Sequence, residues 1–187
     1  MATPLKVIRP LTITDAILDS TDVPENDYAA WSSGTTYALG DRVIRTGVHK
    51  VYESAQSANT NHTPESSPDW WLEVGPTNRW KMFDDSVSRA TEKSTSMSVT
   101  LAPGQACNAL AAINLVGCTS MRVRVVDATY GTLYDQTTDL SALPPAAGWW
   151  EWFFGERVQP VQALILDLPH IQTADILVDF AGGTDLA

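Results

Sequence analysis

Apolar and polar positions alternate over much of the second half of the chain. Met97, Val99 and Leu101 are interleaved with Ser96, Ser98 and Thr100, and Met121, Val123 and Val125 with Ser120, Arg122 and Arg124. A period of two sends successive side chains to opposite faces, so each segment predicts a strand with one buried and one solvated face. Residues 107–115, with Leu110 and Ile113, are more apolar and predict a strand in the middle of a sheet. Pro103-Gly104 and Tyr130-Gly131 supply turns, the second of them a hairpin between Val125-Val126 and Leu133-Tyr134. With residues 149–154, 163–168 and 176–180 the count reaches roughly eight strands, which predicts an antiparallel β-sandwich of jelly-roll type.

The first half has a different texture. Between residues 28 and 73 come Trp31, Thr36-Tyr37, Gly40-Asp41-Arg42-Val43, Val51-Tyr52-Glu53 and Pro68-Asp69-Trp70-Trp71. Three short strands are expected, around 42–44, 49–54 and 71–74, with turns at Gly34, Gly40 and Gly47 and a hairpin at Thr46-Gly47-Val48. So few strands cannot enclose a large aliphatic core. Bulky rings fill one economically, and Trp31, Tyr37, Tyr52 and one of Trp70 and Trp71 are the expected filling.

Gly75-Pro76 punctuates the chain, and the alternation of Arg79 and Lys81 with Trp80 and Met82 predicts a strand that opens the second core. Before the first module, Leu5, Val7, Ile8, Leu11 and Ile13 form an apolar, proline-interrupted arm, with Thr14 to Leu18 either a single helical turn or a further strand. Such an arm either covers the edge of its own sandwich or adds a strand to a neighbouring subunit. The reading is all-β throughout: an arm over residues 1–25, a small three-stranded domain over 26–76 and a sandwich over 77–187.

The net charge of −10 argues against nucleic acid, whose binding rests on Lys and Arg neutralising phosphates. No run of about 18 apolar residues is present, and Met1-Ala2-Thr3-Pro4 lacks the apolar core of a secretion signal, so neither membrane insertion nor signal-directed export is expected. Cys107 and Cys118 without neighbouring histidines do not make a zinc site, and free thiols are favoured over a disulfide. His49, His62 and His170 lie in separate segments, and no nucleophile elbow or phosphate loop occurs. Asp84-Asp85 reads as a turn cap before it reads as a carboxylate pair or calcium ligand. The expectation is a non-enzymatic protein with no cofactor, no metal and no catalytic residues.

The order Trp-x5-Tyr-x2-Gly-Asp-x-Val, then Tyr-Glu, then Pro and a terminal Trp resembles the small chitin- or cellulose-binding modules of bacterial chitinases, families 5 and 12. That resemblance implies a carbohydrate-binding-module-like domain, with Tyr37, Tyr52, Trp70 and Trp71 as glycan-binding candidates. The family's exposed aromatic pair after the Tyr-Glu strand has as its counterpart here Ser54-Ala55-Gln56-Ser57, which carries no ring. The module followed by Asn78-Arg79-Trp80-Lys81-Met82-Phe83-Asp84, together with Lys6-Val7-Ile8-Arg9-Pro10-Leu11-Thr12-Ile13-Thr14, is similar to virion proteins of tailed bacteriophages and prophages. This second resemblance implies a tail-associated structural protein of the virion, made in the host cytoplasm, with other tail proteins and further copies of itself in a symmetric assembly as partners.

Residues 149–154, read as a strand, place Trp150, Trp152 and Phe154 on one face and Trp149, Glu151 and Phe153 on the other. One face must be core, and the other is either covered by the N-terminal arm or the small module or forms an interface with another chain. The assembly candidates are therefore Leu5, Val7, Ile8, Trp149 and Phe153. Two function classes stay open: a structural protein of a phage tail, or a carbohydrate- or receptor-binding module for host-surface glycans.

Overall fold

The computed structural model describes residues 9–84, 86, 88–141, 149, 150 and 161–182. Among them twelve strands follow one another: β1 (Leu18–Thr21), β2 (Thr36–Tyr37), β3 (Arg42–Arg45), β4 (Lys50–Ser54), β5 (Asn59–Thr60), β6 (Trp71–Pro76), β7 (Ser96–Leu101), β8 (Leu110–Ile113), β9 (Cys118–Asp127), β10 (Gly131–Asp139), β11 (Gln162–Ile165) and β12 (Asp175–Gly182). All named strand pairs are antiparallel, and the expected all-β class holds. The chain forms two compact units, Val23–Thr91 and a second made of Met1–Asp22 with Glu92–Ala187.

Both expected boundaries move. The segment read as an arm divides at Asp22, because Leu18–Thr21 pairs with β7 whereas Val23 and Glu25 bond into the small unit. Thr14 to Leu18 combines the two readings left open for it: Ile17 and Leu18 donate to the Thr14 carbonyl in a turn, and β1 starts at Leu18.

At the other boundary β6 ends at Pro76, but the unit continues past Gly75-Pro76 to Thr91. The following residues, Asn78–Phe83, form a 3-10 helix rather than a strand. Trp80 and Phe83, three residues apart, share a face of such a helix, and their rings meet edge-on at 5.7 Å. Thr77, fully buried, starts it by accepting from the amides of Trp80 and Lys81. Arg79 Nε donates to the Val23 carbonyl at 2.7 Å and the Asn78 amide to Asp27 at 2.6 Å, which ties this segment to the start of the small unit. The larger unit therefore resumes after Thr91, not at residue 77.

In the small unit β3, β4 and β6 form a three-stranded sheet, and the two-residue strands β2 and β5 a second. The core is Tyr37, Val43, Tyr52 and Trp71, with Trp31 and Trp70 packed against it and half buried. In the larger unit the sheet order is β1-β7-β12-β9-β10, with β8 and β11 forming a separate pair. The last strand, β12, lies between β7 and β9, so inward residues line up in rows: Leu101, Ile176 and Val125; Val99, Val178 and Val123; Met97, Phe180 and Met121. Shared parity across three strands turns sequence alternation into one continuous apolar layer. Residues 107–115 were expected in the middle of a sheet. Instead β8 pairs only with β11, and Ile113 is 55 % exposed.

Candidate functional site

The four glycan candidates meet in the small unit, but mostly inside it. Trp71 at the head of β6 is 3 % exposed, and Tyr37 on β2 and Tyr52 on β4 are also buried. Tyr37 and Trp71 pack edge to face with ring centres 5.1 Å apart. Their polar atoms are held internally. Trp71 Nε1 donates to the His62 carbonyl at 2.8 Å, and the Tyr37 hydroxyl accepts from the Ser32 amide at 2.8 Å. Burial raises the ionisation of the Tyr52 phenol above its ordinary value, and the nearby carboxylate of Glu73 adds to this. A sugar stacks on an accessible ring face, and these three rings offer none; their assignment as glycan-binding residues is corrected to core.

Trp70 alone of the four reaches the surface in part. It lies parallel to the His62 ring, with centres 3.9 Å apart and planes 9° from each other. His62 is held by its Nδ1 against Asn59 Oδ1 at 3.0 Å, and Asn59 in turn donates to Ser54 Oγ and to the Trp70 carbonyl. Buried Asn59 is thus the polar hub under this surface. Nothing in the alternation marked it, because a loop asparagine reads as a turn residue.

Elsewhere on the small unit's surface Leu39 and Leu72 stand exposed, and several charged groups are paired. Arg42 lies over Tyr28 and bonds Glu53 at 2.8 Å; Arg45 lies over Trp31 and bonds Glu65 at 2.7 Å. Lys50 bonds Glu73 at 2.7 Å, which holds its ammonium above its ordinary value. A second cluster was invisible in the sequence. Glu25, almost wholly buried, accepts from Thr77 Oγ1 at 2.9 Å, faces His49 Nδ1 at 3.0 Å and lies 3.8 Å from Arg79. The His49 ring stacks on Trp80 at 4.1 Å. Its parts lie far apart in sequence, so no local spacing announces it.

In the larger unit the solvated face of the main sheet is also closed by ion pairs. Asp179 accepts from Ser98 Oγ at 2.5 Å and from Arg124 at 2.6 Å, and Asp135 takes both Nε and Nη2 of Arg122. The β8–β11 pair differs. Ala163 and Ile165 point inward, whereas Ile113 and Leu164 point outward, Leu164 56 % exposed, with Val116 and Val161 exposed beside them. Trp149 and Trp150 are helical rather than extended, 71 % and 62 % exposed, their rings edge-on at 5.7 Å. The face assignment that rested on a strand at 149–154 therefore fails at its first two residues. Leu5, Val7, Ile8 and Phe153, the other assembly candidates, lie outside the described residues.

Both cysteines carry free thiols, and burial pushes each thiol up, away from the reactive thiolate. Among the described residues no three His, Cys, Asp or Glu side chains cluster as metal ligands, and no helix is long and apolar enough to cross a membrane. Asp85 lies outside the described residues; Asp84 Oδ1 accepts from the Ser86 amide at 2.6 Å, as a turn cap does. Comparison with protein-family models, with curated proteins and with solved structures finds no match to this chain.

Proposed function

We propose that this chain is a non-enzymatic structural protein of a bacteriophage tail, a carbohydrate-binding-module-like domain joined to a jelly-roll-type sandwich, that works through protein–protein contacts in the virion. The observation that carries this reading is the placement of apolar surface. The rings that a sugar platform would use are core, whereas aliphatic side chains stand exposed on the outward face of β8 and β11. A flat aliphatic face suits another protein surface better than a sugar, which is held by aromatic stacking and convergent polar groups. The partners are other tail proteins, and the likeness of residues 78–84 and 6–14 to virion proteins supplies the context.

The test is incorporation. Leu164→Arg places a charge at an exposed position, so circular dichroism should be unchanged while the chain fails to enter particles of a phage lacking its own copy. Normal incorporation of the folded variant sinks the reading. A glycan-binding reading retains one specific support, the half-exposed Trp70 stacked on His62. Loss of binding to host-surface glycans on Trp70→Ala would favour it.

A further inference from the structure

The two edges of the main sheet are not alike. At one end β1 is four residues long, and a short edge strand is one device by which sheets avoid pairing with other chains. At the other end β10 runs for nine residues, and among the described residues no strand lies beyond it. It contains neither proline nor lysine, which commonly block such edges. Its one register break falls between Thr132 and Tyr134, so the stretch from Tyr134 to Asp139 pairs regularly with β9.

The carboxylates of that stretch are engaged within the chain. Asp135 is held by Arg122 at 2.6 and 2.8 Å, which keeps it below the usual carboxylate range, and Asp139 accepts from the amide and hydroxyl of Ser141 at 2.9 and 2.7 Å. The edge is therefore long and regular, and its two carboxylates stay charged but are held by partners within the chain.

We propose that β10 pairs antiparallel with β10 of a second copy across a two-fold axis, joining two five-stranded sheets into one. This rests on the assembly reading above and gives it a surface. A two-fold axis perpendicular to the sheet keeps every side chain on its own face, so the register is named by the residue on the axis. Centring on Asp135 sets that carboxylate against its own copy, and centring on Thr137 sets Asp135 opposite Asp139. Both put like charges directly across the strands, which is destabilising. Centring on Gln136 instead sets Asp135 opposite Thr137 and Tyr134 opposite Thr138, and Gln136 meets its own copy. Centres further along pair fewer of these residues. Charge thus selects the register through Gln136, whose side chain is exposed and accepts a hydrogen bond from the Tyr134 hydroxyl.

Sedimentation equilibrium of the full chain, in a series reaching about 1 mM, should show a monomer–dimer equilibrium. Gln136→Lys and Gln136→Glu each place like charges across the axis and should weaken dimerisation by about fivefold. An equimolar mixture of the two should regain it as the heterodimer. Gln136→Cys checks the register, because residues facing across paired strands lie about 4.5–5.5 Å apart, within disulfide range, and should cross-link on oxidation. A wild-type chain that stays monomeric, charge variants that associate as the parent does, or an associated Gln136→Cys chain that fails to cross-link would each overturn the proposal. The assay needs no particles, so its failure leaves the incorporation result for Leu164→Arg standing, and the converse also holds.

Discussion

The small unit and the larger unit bury their cores by different chemistry, and the difference follows from how many strands each can bring together. With three strands and a two-residue pair, the small unit closes around Tyr37, Tyr52 and Trp71. Trp71 and Tyr37 carry polar atoms inward whose partners come from loops: the His62 carbonyl for Trp71 and Ser32 for Tyr37. In the larger unit, rows of Val, Met, Leu and Ile with Phe180 line the inward face of the main sheet and ask nothing of the loops. A ring-built core therefore makes its loops part of the core, whereas an aliphatic one leaves them free to vary.

The largest expected effect breaks the small unit at its centre. Trp71→Ala should cost roughly 3–5 kcal/mol, about as much as the whole stability of so small a core, and should unfold it. Trp31, half-buried under Arg45, is the weaker position although it heads the aromatic series. Met121→Ala in the larger unit removes a side chain that is as fully buried and should cost roughly 2–5 kcal/mol, but from a larger core, so that unit should remain folded with a lowered melting temperature. Scanning calorimetry with tryptophan fluorescence reads both. A Trp71→Ala chain that melts like the parent would remove the basis of the comparison.

A middle-sized effect separates the units by pH. In the larger unit, Asp127 is held below the usual carboxylate value by the Thr173 hydroxyl and by the amides of Thr129 and Tyr130. Burial pushes Asp179 upward, yet Ser98 and Arg124 together outweigh it and leave it lowered; Asp135 is lowered by Arg122. A depressed folded-state value means stability fully present above the unfolded value, about 3.9 for Asp, and lost as pH falls through the folded values. In the small unit Glu65 is lowered, the cost of burial being outweighed by its bond to Arg45, whereas Tyr52 and Lys50 are raised. Raised groups stabilise below their unfolded values, about 10 and 10.4, and lose that contribution as pH rises further. The larger unit, where Asp127, Asp135 and Asp179 are all held low, should therefore weaken more steeply below about pH 4, with part of the slope removed by Asp127→Asn. Amide exchange followed residue by residue across an acid titration checks this; equal loss in both units would contradict it.

How much of this was legible in the sequence follows the same divide. Strands of the small unit at Arg42–Arg45, Lys50–Ser54 and Trp71–Pro76 lie where turn residues and alternation put them, as do the paired rows of Met97 to Leu101 and Met121 to Val125. Alternation failed where short apolar spacing has two readings. Trp80 and Met82 fit a strand by period two, but the buried Thr77 and the tie from Arg79 to Val23 select a 3-10 helix, whose period of three brings Trp80 and Phe83 together. The place of β8 at an isolated pair was hidden because apolarity reports the wish for burial, not its supply. The hub residues Asn59 and Glu25 were hidden because their partners are set by tertiary structure alone.

The smallest effect sharpens the comparison at the surface. Glu73 and Asp179 each pair with a cation at 2.7 and 2.6 Å, and by distance alone they are alike. Their settings differ. The Lys50–Glu73 pair stands in solvent at the rim of the small unit, where a single ion pair contributes about 0–1 kcal/mol and is screened by salt. Asp179 lies in the central strand β12 and bridges Ser98 on β7 to Arg124 on β9, so its loss strands two partners on neighbouring strands. Glu73→Gln should therefore lower stability by less than about 1 kcal/mol, with a difference that vanishes at high salt. Asp179→Asn should cost more, and the difference should persist in salt, because a hydrogen-bonded group between two strands is less screened than an exposed pair. Denaturant unfolding of both variants at low and high ionic strength makes the measurement. If the two substitutions cost the same at high salt, the solvated face of the five-stranded sheet is no better knit than the rim of the small unit.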